Sequence, residues 1–220
     1  MPAPASWTCQ EIIDRANFEL RNEHKRQYSD AEMFEYVQKV LEMLYMVLVQ
    51  DNSELTPVTT TSFQTVTGQE IYDLTSVPPD AADLWKIRRA WLTGYESREV
   101  EITEESDRYA YLQSGGEGRP VFYYLEGDDI GLLPFPDDAY TVNLKYYPNF
   151  VPPATSAVSV PYKNLFNLEI VEAVKVMAKN REGMDFGVDT SLMEMFSNRS
   201  FELSKHRRKR KYQIKPIWKH

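Results

Sequence analysis

Reactive side chains are few and scattered in this 220-residue sequence. The histidines are His24, in a polar connector, and His206 and His220, in a basic C-terminal segment. A general base needs a positioned partner in a pocket, and no such partner is evident, so we expect no catalytic histidine. Cys9 is the single cysteine, which excludes an internal disulfide and disfavours structural zinc. The glycines at 115–118 lack the Lys-Ser/Thr ending of a phosphate-binding loop.

Two aspartate pairs could bring carboxylates together. Asp128-Asp129 and Asp137-Asp138 flank a predicted strand, and clustered carboxylates can hold a divalent cation or carry out acid–base catalysis. Aspartate is also favoured in tight turns, because its side chain accepts hydrogen bonds from nearby backbone N–H groups. We favour the turn interpretation and predict no enzymatic activity, no cofactor and no metal site.

Aromatic residues at strand positions in the middle of the sequence could stack on sugars or bases. More often such residues fill the core of their own sheet or an interface with a neighbour. We predict core positions for Phe122 and Tyr124 and an interface for some of the others. The full set is Phe122, Tyr123, Tyr124, Tyr140, Tyr146 and Tyr147.

The C-terminal segment 205–220 has an unusual charge. It holds eight Lys or Arg and no Asp or Glu, which leaves 17 basic against 33 acidic residues in the rest of the chain. The acidic body, of charge −16, would repel a phosphate backbone and is a poor nucleic-acid binder. The segment itself has three readings: a solvated tail, a nucleic-acid contact or an arm that docks on a protein partner.

We favour the docking arm because four large apolar residues accompany the charges, and a merely solvating tail would not need them. Tyr212 and Ile214 alternate, a pattern that suits addition of a strand to a partner sheet. The predicted partner-binding residues are Lys205, Arg207, Arg208, Lys209, Arg210, Lys211, Tyr212, Ile214, Ile217 and Trp218.

Apolar periodicity predicts helices at both ends of the chain. Capping-box spacings at Thr8/Glu11 and Ser29/Glu32 precede the first two. The predicted ranges of these two helices are 8–23 and 30–51. Late in the chain a third helix is predicted over 165–181, with Leu168, Val171, Val174 and Ala178 on one face. A fourth starts near residue 189 and runs into the basic tail.

The middle of the chain reads as short strands separated by turn residues. Its predicted strands are 56–66, 70–74, 84–92, 98–102, 120–125, 129–133 and 140–147, with a short helix over 104–112 and an extended linker over 151–156.

These elements predict an α+β fold. N- and C-terminal helices form a four-helix bundle, because neither pair can bury its apolar stripe alone, and a central antiparallel β-rich insertion and an extended basic tail complete the chain. The predicted boundaries are 1–52, 53–150 and 151–204 for these three parts and 205–220 for the arm. No apolar run reaches the ~18 residues that span a bilayer, so we expect no membrane partner.

Five segments of the strand region resemble, in order and spacing, the head–tail adaptor (connector) proteins of tailed bacteriophages. The likeness covers less than half of the chain by motif, and the helical ends match in architecture only. The segments are 66–74 (VTGQEIYDL), 79–80 (PD) with 85–90 (WKIRRA), 119–127 (RPVFYYLEG), 133–137 (LPFPD) and 140–147 (YTVNLKYY).

The resemblance implies a structural virion protein of the neck, between head and tail, made in the host cytoplasm. It implies a homo-oligomeric ring of twelve copies beneath the portal protein, joined to a tail or stopper protein, with a channel through which DNA passes transiently. The C-terminal segment would reach the portal. Two alternatives stay open: a tail-side stopper or tail-completion ring protein, and a nucleic-acid-binding accessory protein that uses the tail for DNA.

Overall fold

The computed structural model describes residues 7–21, 27–51, 55–76, 81–93, 100–104, 116–162, 164–180 and 186–211, with the backbone alone at 100, 101, 103, 186–189 and 204–211. The chain divides into two compact units. We call residues 1–56 and 150–220 the helical unit and residues 57–149 the β unit.

Within the described residues, each predicted helix or strand overlaps an observed one, apart from the short helix predicted over 104–112. Glu104 belongs to a strand there, and the rest of that range lies outside the described residues. The α+β class is confirmed, whereas the bundle geometry stays a prediction. The elements are α1 (Cys9–Glu19), α2 (Asp30–Gln50), β1 (Thr59–Gln64), β2 (Ile71–Asp73), β3 (Leu84–Thr93), β4 (Val100–Glu104), β5 (Phe122–Glu126), β6 (Asp129–Leu133), β7 (Thr141–Pro148), α3 (Asn167–Lys179) and α4 (Phe186–Lys211).

The predicted caps start the first two helices. The Thr8 hydroxyl accepts from the Glu11 N–H at 3.2 Å, and the Glu11 carboxylate accepts from the Thr8 N–H at 2.6 Å. Ser29 accepts from the Glu32 N–H at 3.2 Å. Helix α1 ends before its predicted limit because Arg21, at φ 57°, takes the left-handed conformation that closes helices.

The segment 151–158, which begins with the predicted linker, pairs with the start of α1. The Cys9 N–H donates to the Val158 carbonyl at 2.9 Å, and the Gln10 N–H donates to the Ser156 carbonyl at 2.8 Å. These two groups of the first helical turn have no partner within the helix. The segment 151–158 therefore satisfies both N–H groups and holds the start of α1 against the part of the chain that leads to α3.

One apolar cluster forms the core of the helical unit and draws on all four of its described helices. Val171, Val174 and Ala178 of α3 are buried as predicted, but Leu168 is 64% exposed and its predicted burial is wrong. The buried stripe of α3 instead begins at Asn167, whose side-chain amide donates to Asn164 Oδ1 at 3.0 Å. That orientation turns the neighbouring Leu168 outward.

An ion pair joins α1 to α3 on the surface. Lys175 Nζ lies 2.8 Å from Glu19 Oε2 and 2.8 Å from Glu172 Oε1. Hydrogen bonds from Lys175, and then from Arg15, lower the pKa of Glu19 below its ordinary value.

We expect Glu19→Gln to lower the free energy of unfolding by less than about 1 kcal/mol at neutral pH, because water screens exposed ion pairs. A carboxylate whose pKa is lowered by folding stabilises above its ordinary value, here 4.5, and loses that contribution as the pH falls through the folded value. Chemical denaturation of both proteins between pH 3 and 7 checks this. The difference between them should shrink toward the acid end, and a constant difference would contradict the assignment.

The strands of the β unit form two antiparallel groups around one core. The first group is β1-β7-β3-β4 and the second is β5-β6-β2, so the order across all seven is β1-β7-β3-β4-β5-β6-β2. A short parallel pairing of Thr103 with Phe122 and of Glu104 with Tyr123 links the groups. The rings of Phe63 and Tyr72, on the outermost strands, lie 5.1 Å apart between centroids.

Five of the six central aromatic residues are buried. Tyr124 is buried, as predicted, although Phe122 is only half-buried. The interface predicted for some of the others is wrong for Tyr123, Tyr140, Tyr146 and Tyr147, each at most 8% exposed. Tyr123, Tyr140 and Tyr146 belong to the core that the strands enclose.

Candidate functional site

The two aspartate pairs lie at opposite ends of β6 and do not form one carboxylate cluster. Asp138 Oδ1 accepts from the Ala139 N–H at 2.7 Å, the local bond that the turn interpretation predicts. Asp137 accepts from the Tyr140 hydroxyl at 2.7 Å. Burial, followed by this bond, raises the pKa of Tyr140 to about 12. Among the described side chains, no group of three or more His, Cys, Asp and Glu could hold a metal ion.

Cys9 and the three histidines are the residues for which the sequence predicts no catalytic role. Cys9 is fully buried, and burial raises the pKa of its thiol. His24 and His220 lie outside the described residues, as does the side chain of His206. None of the described helices is both long enough and apolar enough to cross a membrane.

The basic arm continues a helix that is anchored in the helical unit. Leu192 and Phe196 of α4 are buried in its core, and Arg199 Nε lies 3.0 Å from Glu169 Oε1 of α3. Helix α4 then continues to Lys211, which confirms that the last helix runs into the basic tail. The backbone of Lys205, Arg207, Arg208, Lys209, Arg210 and Lys211 is therefore helical, while their side chains, and all of Tyr212, Ile214, Ile217 and Trp218, lie outside the described residues.

A second basic surface lies on the β unit, which sequence reasoning treated as part of an acidic body. Lys145 of β7 stands directly opposite Thr60 of β1 on one side and Arg89 of β3 on the other. The pairing of β3 with β7 shifts by one residue between Ile87 and Arg89. Such a bulge places two residues of one strand opposite one of the other, so Arg88 and Arg89 both lie beside Lys145.

Aromatic rings hold the two arginines on this surface. The guanidinium carbon of Arg89 lies 5.1 Å from the centroid of the Trp91 ring, and that of Arg88 lies 5.9 Å from the centroid of the Tyr147 ring. Both distances are within reach of cation–π attraction. The open depression at this surface has a volume of about 470 Å³. We call its lining residues, Thr60, Arg88, Arg89, Trp91 and Lys145, the basic face.

The composition of the basic face favours anionic groups as its ligands. Lys145 and Arg89 stand directly opposite each other, and like charges in that arrangement are destabilising. The described ion pairs include neither Arg88 nor Lys145. Planar guanidinium groups suit carboxylate or phosphate oxygens. This site could not be predicted from the sequence run Lys86-Ile87-Arg88-Arg89-Ala90. Simple alternation along a strand places Arg88 and Arg89 on opposite faces of the sheet, and only the bulge brings both to the same face.

The fold has a helical unit made from both ends of the chain and a strand-rich insertion, the arrangement that the resemblance of the five strand segments implies. The family model described as SU10 adaptor protein matches residues 7–212. The chain belongs to this family and is thus a structural adaptor protein of a bacteriophage particle. Among curated proteins, no sequence matches the chain.

Proposed function

We propose that this protein is a non-enzymatic head-to-tail adaptor that forms a ring beneath the portal, joins it to the tail and leaves a channel for DNA. The observation that carries the proposal is the continuity of α4, which is buried at Phe196 and helical through Lys211. At 1.5 Å per residue, the stretch from Leu203 to Lys211 advances roughly 12 Å. A helix fixed at one end in a folded core can present an arm in a defined direction, as docking on a partner requires.

The charge distribution supports the same arrangement. Outside the arm the chain has a charge of −16. A channel that DNA must traverse without sticking needs walls that repel phosphate, and an acidic body supplies them. The arm, whose basic residues are followed by Tyr212, Ile214, Ile217 and Trp218, combines charge with apolar anchors for a protein surface.

Deleting residues 205–220 should abolish binding to purified portal rings while the rest of the chain stays folded, because the deletion removes the arm and spares the buried part of α4. Binding is measured by co-sedimentation with portal rings, and folding by circular dichroism and thermal unfolding. Unimpaired binding of the truncated chain would refute the docking role. Binding of the intact chain to a tail-side ring but not to portal would favour the stopper alternative.

A substitution variant separates docking from nucleic-acid binding. Replacing Tyr212, Ile214, Ile217 and Trp218 by Ser keeps every basic residue of the arm. A docking arm then loses portal binding, because its apolar anchors are gone. A DNA-binding tail instead keeps its affinity for duplex DNA. That affinity still falls steeply as the salt concentration rises, because binding releases counterions from the phosphates.

A further inference from the structure

The basic face has an acidic counterpart on the same unit. Asp129 of β6 stands directly opposite Asp73 of β2 and directly opposite Glu126 of β5. Asp128, exposed, lies in the adjoining turn. We call these four residues the acidic row. The hydroxyl and the N–H of Thr75 donate to Asp73 and lower its pKa, so this carboxylate stays charged.

The two surfaces belong to opposite ends of the strand order. The basic face crosses β1, β7 and β3, and the acidic row crosses β2, β6 and β5. Neither surface contributes to the core of the β unit, to which both antiparallel groups send their inward residues. One unit thus carries two outward like-charged surfaces of opposite sign, and each places like charges directly opposite on neighbouring strands.

We propose that the basic face of one copy docks on the acidic row of the next copy in the ring. The inference rests on the ring of the proposed function and assigns the surfaces that meet within it. A contact between two different surfaces of identical chains is heterologous, and it generates a closed ring when the rotation between copies allows closure. Each surface then meets a surface of opposite charge on the neighbouring copy.

A second copy is favoured over DNA as the occupant because it accounts for both surfaces at once. DNA on the basic face would leave the acidic row without a role. It would also bring phosphates to a unit whose own carboxylates repel them. The arginine forks of the basic face suit carboxylates, and the neighbouring copy supplies them.

Charge reversal tests the pairing in the full-length protein. Arg89→Glu with Lys145→Glu reverses the basic face, and Glu126→Lys with Asp128→Lys reverses exposed members of the acidic row. The ring fraction is measured against protein concentration by sedimentation velocity, with and without purified portal rings. Each double variant should need a protein concentration at least about tenfold higher for half-assembly, because like charges now meet across the contact. Arg89→Gln with Lys145→Gln, which avoids new charges, should give a smaller shift in the same direction.

The decisive outcome is mutual rescue. In a 1:1 mixture of the two reversed variants, alternating copies meet with opposite charges at every contact, so half-assembly should return to within about threefold of the wild-type concentration. The matched control is Glu35→Lys with Lys39→Glu, two exposed positions of α2, which should leave assembly unchanged. Circular dichroism confirms that every variant is folded.

The outcomes separate this inference from the proposed function. Wild-type-like rings from the basic-face variant, or no rescue in the mixture, overturn the pairing and leave the adaptor function standing. A wild-type chain that stays monomeric both alone and with portal overturns the ring and the pairing together. If the basic-face variant assembles normally but loses affinity for a 30-base-pair duplex in fluorescence anisotropy, the occupant is nucleic acid and the pairing is wrong.

Discussion

We expect Phe196→Ala to lower the free energy of unfolding of the helical unit by about 3–5 kcal/mol, the usual effect of removing a buried aromatic ring. Phe196 is fully buried in the apolar cluster of the helical unit, and the cavity left by its ring cannot collapse completely. The substitution should affect α4 strongly, because Leu192 and Phe196 are the two buried apolar side chains described on that helix. The substitution therefore weakens the attachment of the helix that carries the arm.

The measurement is denaturant unfolding followed by circular dichroism, together with portal binding at a fixed protein concentration. Phe201→Ala is the matched control, because Phe201 lies on the same helix and is 58% exposed. It should change stability by no more than about 0.5 kcal/mol. Portal binding by Phe196→Ala should weaken at temperatures where the helical unit begins to unfold. Equal losses of stability for Phe196→Ala and Phe201→Ala would contradict the packing of α4.

Gly131→Val should destabilise the β unit by about 1–3 kcal/mol, the usual penalty of forced overpacking. The Tyr124 ring occupies the place of a side chain on Gly131: a Cβ built there would lie 2.0 Å from Tyr124 Cζ. Tyr124 also donates from its hydroxyl to Glu70 Oε1 at 2.5 Å. A valine must displace the ring, and the displaced tyrosine loses both its burial and this hydrogen bond.

A double-mutant cycle isolates the clash. Tyr124→Ala removes the ring, so Gly131→Val should cost markedly less in that background than in the wild-type chain. Tyr124→Phe keeps the ring and removes only the bond to Glu70, at a cost of about 1 kcal/mol. Additive effects of Gly131→Val and Tyr124→Ala in thermal or denaturant unfolding would show that the ring does not occupy the site.

Local sequence signals predicted the secondary structure because the physical causes are themselves local. A cap needs only residues three apart, as at Thr8 and Glu11, and an apolar stripe needs only the helical period. The charge contrast between body and arm is likewise readable from residue counts. The order and spacing of the strand segments were specific enough to indicate the adaptor family.

Other features depend on residues that are distant in sequence. The exposure of Leu168 follows from the inward turn of Asn167, and the burial of Tyr140 and Tyr146 follows from closure of strands around a common core. Periodicity identifies an apolar side of a strand, but it does not tell which neighbour will cover it. The interface predicted for the central tyrosines was wrong for this reason.

The sequence by itself determined the α+β class, the positions of helices and strands, the resemblance to phage adaptors and the opposite charges of body and arm. Only the tertiary structure decided that Arg88, Arg89 and Lys145 share one face, that Asp73, Asp129 and Glu126 share another, and that Tyr124 covers Gly131. The physical reason is strand register. A one-residue bulge or a particular pairing changes which side chains become neighbours, and the energies that select it come from contacts between segments far apart in the chain.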